Sequence, residues 1–155
     1  MANTSYASDY KLGELAVKGF TDTMDALGIP WTNANMQEQH NGIDIKTKKY
    51  CYEVKYQKYE KSIVVEEKDG LREGWIYSTK ADYIVYVHIN NTIHTTMLKV
   101  KELRDIYNKI KKNYKLQYNK KTDGERGDVW QGSFRVIPIN DLIGFLSVYK
   151  LGGKK

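Results

Sequence analysis

The stretch from Gly42 to Gln57, GIDIKTKKYCYEVKYQ, predicts two short β-strands joined by a tight turn that is rich in lysine. Residues in a strand alternate between its two faces, so Glu53 and Lys55 are expected on one face and Val54 on the other. The hairpin would bring Asp44 close to that pair. Two carboxylates beside a lysine are typical of a site for a hard divalent cation and an activated water. The alternative is an ion pair between Glu53 and Lys55 on a wet sheet face, which contributes little stability.

The length and composition indicate one domain. With 155 residues, the chain is expected to fold over 1–150 and to end in a disordered basic tail over 151–155. A chain of this size buries about 70% of its unfolded surface and needs no disulfide to fold. Its single cysteine, Cys51, cannot form an internal disulfide, which is typical of a reducing cytoplasm. The first ten residues are polar, and no apolar run approaches the roughly 20 residues of a membrane helix. We therefore expect a cytoplasmic protein without a membrane partner.

The charge balance favours a polyanionic partner. The chain has 25 Lys and Arg against 19 Asp and Glu, a formal net charge of +6. It also has 13 tyrosines, which suit wet and polar binding surfaces. A nucleic acid is the partner that this composition indicates. No glycine-rich phosphate loop is present in the sequence, so we expect no nucleotide cofactor.

Periodicity predicts an α/β order of elements. Ser8 or Asp9 would cap a first helix that runs to about Leu27 and is ended by Gly28 and Pro30. Its apolar stripe at helical spacing consists of Leu12, Ala16, Val17, Phe20, Met24 and Leu27. Strands are predicted near 43–46, 50–56, 62–66, 81–89, 92–98 and 129–139, with a second amphipathic helix near 99–114. The order predicts an open, mixed sheet of three to five strands flanked by helices, with 81–89 as a central strand buried on both faces.

Shorter features are predicted between and after these elements. A helical turn is expected within 68–74 and a flexible charged loop over 119–128. Gly132 is a candidate β-bulge. Asn140 or Asp141 would cap a short C-terminal helix that reaches Val148.

The order of elements, with D…E-x-K on the hairpin, resembles the PD-(D/E)XK nuclease superfamily. Asp44 in G-I-D-I and the pair in Y-E-V-K match its acidic and (D/E)-x-K elements, although Ile43 stands where the motif has proline. Gln57 in K-Y-Q matches a glutamine that resolvase-like and phage members carry, and Glu14 in K-L-G-E-L-A-V matches a glutamate on the first helix. The later run G-W-I-Y-S-T-K-A-D-Y-I-V-Y-V is also similar, so the resemblance covers about residues 12–87.

The resemblance implies a restriction-endonuclease-like core in the order α-β-β-β-α-β, and a Mg²⁺-dependent DNA endonuclease acting on branched or foreign DNA. The metal, which Mn²⁺ would replace, would be held by Asp44, Glu53 and the Val54 carbonyl. Glu14 is a further candidate ligand, or else a surface partner of Lys18. Lys55 would orient the attacking water or stabilise charge, and Gln57 would support it.

The resemblance also bears on partners. Compact nucleases of this class often act as dimers, so a homodimer is one expected arrangement, in the host cytoplasm if a phage encodes the chain. The alternatives are an RNA nuclease and a non-catalytic nucleic-acid-binding protein with a degenerate nuclease fold.

Three groups of residues are predicted to contact nucleic acid. Lysines neutralise phosphates and aromatic rings stack on bases. The groups are the turn lysines Lys46, Lys48 and Lys49; Trp75 and Ser78; and Lys111, Lys112, Tyr114 and Lys115 near the end of the second helix. For the last group the alternative is a solvated helix end, and for Trp75 it is an ordinary core residue.

Overall fold

A computed structural model describes residues 3–122 and 129–152, with only the backbone described for 3–9, 121–122, 129–130 and 152. The strands are β1 (Asn3–Ser5), β2 (Thr32–Asn33), β3 (Ile45–Lys46), β4 (Cys51–Tyr56), β5 (Ser62–Asp69), β6 (Arg72–Glu73), β7 (Tyr83–Ile89), β8 (Ile93–Lys99), β9 (Gln117–Thr122), β10 (Val129–Pro138) and β11 (Val148–Gly152). The helices are α1 (Tyr6–Ala26), α2 (Met36–His40), α3 (Trp75–Ser78), α4 (Val100–Ile110) and α5 (Ile139–Leu142), with a 3-10 turn at Lys111–Asn113.

A six-stranded mixed sheet contains the hairpin. Its order is β11-β8-β7-β4-β3-β2, in which β4 and β7 are parallel and every other pair is antiparallel. The first five residues of β7 are all buried, because β7 lies in the middle of this sheet and both sheet faces are covered. The predicted central strand is therefore confirmed.

Helix α1 covers one face of this sheet. Ala16, Phe20 and Met24 pack against the even-numbered residues of β4, Tyr52 and Val54. The predicted helix is confirmed to within a few residues at each end. Leu27, placed in the apolar stripe by the sequence, is 54% exposed because it follows the last turn of the helix.

The opposite face is covered by α3, α4 and a second sheet of five strands. That sheet has the order β1-β9-β10-β5-β6 and is antiparallel except for β1, which joins β9 in parallel. Ile63 and Val65 of β5 share a core with Ile84 and Tyr86 of β7 and with Leu103 of α4. The mixed α/β class and the predicted second helix are thus confirmed.

The prediction of one sheet of three to five strands is wrong. The strand predicted over 62–66 does form, as β5, but it belongs to the second sheet. The parallel neighbour of β4 is β7, with Val54 opposite Val85. Apolar alternation identifies the buried face of a strand but not the strand with which it pairs.

Several shorter predictions are also wrong. The turn expected to be helical within 68–74 is a β5–β6 hairpin, with Gly70 at φ 66°. The irregularity in β10 lies between Ser133 and Phe134 rather than at Gly132. Residues 117–122 form β9, and the rest of the predicted loop, 123–128, lies outside the described residues.

The C-terminal part of the chain differs most from the prediction. The last helix, α5, ends at Leu142, so Asn140 and Asp141 lie inside it and Pro138 stands at its N-cap. Val148–Gly152 forms the edge strand β11, which includes the start of the predicted tail; residues 153–155 lie outside the described residues. In the described parts of the chain, no helix is both long and apolar enough to cross a membrane.

Candidate active site

Asp44 occupies the point at which the β3–β4 hairpin opens. The register places Ile45 opposite Tyr52, so Asp44 and Glu53 are the next residues along the two strands. The Asp44 N–H donates to the Tyr52 carbonyl at 2.8 Å. Its Oδ2 accepts a hydrogen bond from the Val54 N–H at 2.8 Å. The side chain thus supplies the acceptor just beyond the last backbone pair of the two strands. This pair of bonds holds the carboxylate at the end of β3, beside Val54 of β4.

Glu53 and Lys55 lie on one face of β4, as predicted. Glu53 is 5% exposed, and its Oε1 lies 2.6 Å from the Lys55 Nζ. The other carboxylate oxygen, Oε2, is buried and has no hydrogen-bond partner among the described residues. A buried acceptor left in this way costs about 1–3 kcal/mol, and more when it is charged. The site therefore holds one carboxylate oxygen whose natural partner is a cation, a proton or a water molecule.

Gly42 makes room for that oxygen. Its backbone has φ 82°, a conformation that glycine adopts without strain. A Cβ at this position would stand 2.5 Å from Thr79 Oγ1 and 3.0 Å from Glu53 Oε2. Sequence reasoning assigned no role to Gly42 or Thr79. A lone glycine two residues before Asp44 was the available signal for the first, whereas Thr79 gave none.

Lys55 is surrounded by carboxylates. Burial works against its ammonium, but three acidic side chains outweigh burial and raise the pKa of Lys55. They belong, in falling order of effect, to Glu53, Glu66 and Asp44. Glu66 was missed because it lies on β5, which reaches this site only through the packing of the second sheet. Lys55 is cationic at neutral pH, and its side chain as a whole is 37% exposed.

The pKa of the Asp44 carboxyl is also raised, but for an acid this shift favours the neutral form. Burial raises its pKa, and the neighbouring charge of Glu53 acts in the same direction. The Val54 N–H and the Lys55 cation lower the pKa but do not reverse the shift. Two acids of like charge thus lie close together in a partly buried place, an arrangement that a bound cation would stabilise.

Glu14 reaches the same region from helix α1. It is exposed on the helix and lines a surface cavity of about 570 Å³ together with Asp44 and Val54. The structure therefore brings Glu14 near Asp44, on the sheet face that α1 covers, whereas Glu53 and Lys55 point to the opposite face.

Gln57 is buried between β4 and β5. Its side chain is 3% exposed, and its Nε2 donates to the carbonyls of Tyr59 at 2.6 Å, Glu60 at 3.0 Å and Ser62 at 3.3 Å. These bonds hold the segment between β4 and β5 and give Gln57 a structural role. Its support of Lys55 stays a prediction.

In the first two groups of predicted nucleic-acid contacts, some side chains are exposed and others are paired or buried within the protein. Lys46 is paired with Glu38 at 2.7 Å, whereas Lys48 and Lys49 are exposed at the turn. Trp75 is 5% exposed and belongs to the core, so its predicted contact with nucleic acid is wrong. Ser78 is exposed, and its Oγ donates to the Gly74 carbonyl at 3.1 Å.

The third group follows helix α4. Lys112 and Lys115 are exposed. Lys111 donates to the Tyr77 hydroxyl at 3.3 Å, and the Tyr114 hydroxyl donates to Asp141 Oδ2 at 2.8 Å. The first two side chains are therefore open to a ligand, and the other two are engaged within the protein.

The oxygen atoms at the hairpin edge fit a hard divalent cation. The N–H and C=O of one strand residue point to the same side, so the Val54 carbonyl points to the same edge as its N–H, which meets Asp44. Within the described residues, no three His, Cys, Asp or Glu side chains are grouped as metal ligands. The donor set is two carboxylates and a carbonyl, and Mg²⁺ commonly uses one or two carboxylates and completes its shell with water and substrate oxygens.

Comparisons of the chain with models of protein families, with curated proteins and with solved structures find no match.

Proposed function

We propose that this chain is a Mg²⁺-dependent nuclease that hydrolyses phosphodiester bonds in DNA. The observation that carries the proposal is the buried Oε2 of Glu53, which lies beside Gly42 and has no hydrogen-bond partner among the described residues. A carboxylate oxygen of this kind is stabilised by a cation. Lys55, beside it, adds a positive charge.

A restriction-endonuclease-like core is part of this proposal. Helix α1 lies over the β3–β4 hairpin, β7 lies in parallel beside β4, and helix α4 follows after β8. This order of helix, hairpin and parallel strand supports the relation inferred from D…E-x-K, with Val54 facing the first helix and Glu53 and Lys55 facing the opposite side of the sheet. Strand β5 departs from the expected order because it leaves for the second sheet.

The residues of the site have separate roles in the proposed reaction. A bound Mg²⁺ would acidify a water molecule and offset the charge that develops on the phosphate. The Lys55 ammonium stabilises negative charge on the phosphate oxygens or orients the attacking water. Glu53 Oε1 holds that ammonium in place at 2.6 Å. The Val54 N–H fixes the orientation of the Asp44 carboxylate.

A cleavage assay tests the proposal. Supercoiled plasmid, a four-way junction and structured RNA are incubated with Mg²⁺, Mn²⁺ or EDTA. We expect cleavage of DNA with either metal and none in EDTA. Asp44→Asn and Lys55→Ala should each lower the rate by about 10²–10³-fold, the usual effect of removing one electrostatic group from a site. Asp105→Asn and Lys101→Ala, which change exposed residues of helix α4, serve as controls of matched chemistry.

The outcomes separate the alternatives. If the wild type cuts neither DNA nor RNA, and Asp44→Asn and Lys55→Ala bind DNA as the wild type does, the nuclease proposal fails in favour of a non-catalytic binding protein. Cleavage of RNA alone would correct the substrate. A direct check of the metal is a crystal soaked in Mn²⁺, in which metal density away from Asp44 and Glu53 would contradict the assignment.

A further inference from the structure

We infer that the cavity beside Asp44 binds a nucleobase, so that the enzyme acts on unpaired nucleotides. This inference rests on the proposed nuclease function and specifies the substrate class of the same site. The cavity measures about 570 Å³, within the roughly 300–1,000 Å³ of small-ligand sites. Its lining comes mainly from helix α1, together with Trp31, Asp44 and Val54.

Aromatic and apolar side chains form the walls of this cavity. Tyr10 of helix α1 is 57% exposed, and Trp31, which follows the helix along the chain, is half-buried. The indole N–H of Trp31 donates to Asp25 Oδ1 at 2.7 Å, which fixes the orientation of the ring. Val17 adds aliphatic surface. Aromatic rings held in this way are the usual platforms on which bases stack in proteins that bind single strands.

Charge decides which part of a nucleotide enters the cavity. Its lining carries four carboxylates, those of Glu14, Asp22, Asp25 and Asp44, against the single cation of Lys18. Lys18 is itself paired with Asp22 at 3.0 Å. A phosphate backbone would meet a net negative surface here, whereas a base is uncharged. Carboxylates also accept hydrogen bonds from the exocyclic amino groups of bases.

The position of the cavity then defines the substrate. Asp44 both lines the cavity and belongs to the proposed catalytic site, so a phosphate bound at Asp44 would leave its own base or a neighbouring one beside the cavity. In a paired duplex the bases are stacked and turned inward, so a base enters only after it leaves the helix. Single strands, flaps and the open points of branched DNA supply such bases without that cost.

Base binding in the cavity is tested by fluorescence, and the preference for unpaired nucleotides by cleavage. The protein used is the Lys55→Ala variant, because Lys55 belongs to the proposed catalytic site but does not line the cavity. It is mixed with an oligonucleotide containing 2-aminopurine, either as a single strand or fully paired. We expect tighter binding of the single strand, with quenching of the 2-aminopurine emission as the base stacks. Adding Tyr10→Ala should weaken single-strand binding about 5- to 140-fold, the usual effect of one stacking ring, and leave duplex binding unchanged.

Two further variants keep the test decisive. Phe145→Ala removes an aromatic ring that is 63% exposed and does not line the cavity, so it should change neither measurement. Trp31→Ala should repeat the effect of Tyr10→Ala, with circular dichroism to show that it folds. Equal binding of single strand and duplex without quenching would overturn the inference, as would equal cleavage of both by the wild type, and either leaves the nuclease proposal intact. Quenching that depends on Tyr10, in a protein that cuts nothing, would support the base site and reject the nuclease.

Discussion

At the scale of single residues, the space occupied by the Glu53 carboxylate depends on the absence of a side chain at Gly42. We expect Gly42→Ala to destabilise the fold by more than Gly28→Ala, as measured by urea unfolding. Both glycines have positive φ, 82° and 71°, so both substitutions carry the same backbone strain of about 1–2 kcal/mol. Only at Gly42 would the new Cβ also meet Thr79 and Glu53; at Gly28 nothing lies within 4 Å. Equal losses for the two variants would show that the Glu53 oxygen is not crowded against Gly42.

Asp44 is expected to lower the stability of the metal-free protein at neutral pH. Its pKa is raised by burial, so the folded state favours the protonated form. The stability that this shift contributes is present below the pKa of the unfolded chain and is lost as pH rises through the higher folded value. In EDTA at pH 7, Asp44→Asn should therefore unfold at higher urea than the wild type, and the difference should shrink on acidification.

Glu38 offers a control of opposite sign for that experiment. Hydrogen bonds from Lys46 and from the Asn35 backbone lower the pKa of the Glu38 carboxyl. Its contribution is present above the unfolded pKa and is lost as pH falls. Glu38→Gln should therefore lower the urea midpoint at pH 7. A decrease for Asp44→Asn under the same conditions would contradict the unfavourable burial of that carboxylate.

At the scale of elements, the segment between β4 and β5 directs the chain from one sheet to the other. We expect Gln57→Ala to lower the free energy of unfolding by about 2 kcal/mol, since a buried amide loses three bonds and leaves backbone carbonyls unmatched. Because the amide points to residues 59–62, the cleavage rate per folded molecule should change little. Stability measured by urea and activity measured on the folded fraction separate these effects. A loss of rate without a loss of stability would support the predicted catalytic role.

For the hairpin, the sequence predicts which residues share a face but not which distant residues pack against them. Alternation along β4 correctly placed Glu53 and Lys55 together and Val54 on the other face, because strand geometry fixes this locally. The same reasoning could not find Glu66, which approaches Lys55 from β5 in the second sheet. It also misjudged the end of the chain, where the apolar residues 142–148 suited a helix but Val148 pairs with Leu98 in the six-stranded sheet.

At the scale of the whole molecule, the net charge of +6 should control encounter with nucleic acid. DNA affinity is expected to fall as salt rises, with a logarithmic slope of about 0.9 per phosphate contact. Replacing the exposed turn lysines Lys48 and Lys49 by alanine should reduce that slope by about 1–2, whereas Lys101→Ala on helix α4 should not. Fluorescence anisotropy over a salt series measures both. An unchanged slope in the double variant would remove the turn from the interface.

Local sequence patterns were enough to predict helix α1, the hairpin strands, the buried strand β7 and the face that Glu53 and Lys55 share. Each follows from periodicity, turn residues and alternation within a few residues. The pairing of β4 with β7, the departure of β5 into a second sheet and the approach of Glu66 and Thr79 to the hairpin could be seen only in the folded chain. These depend on contacts between segments far apart in the chain, where many pairings satisfy the same apolar pattern and packing selects one.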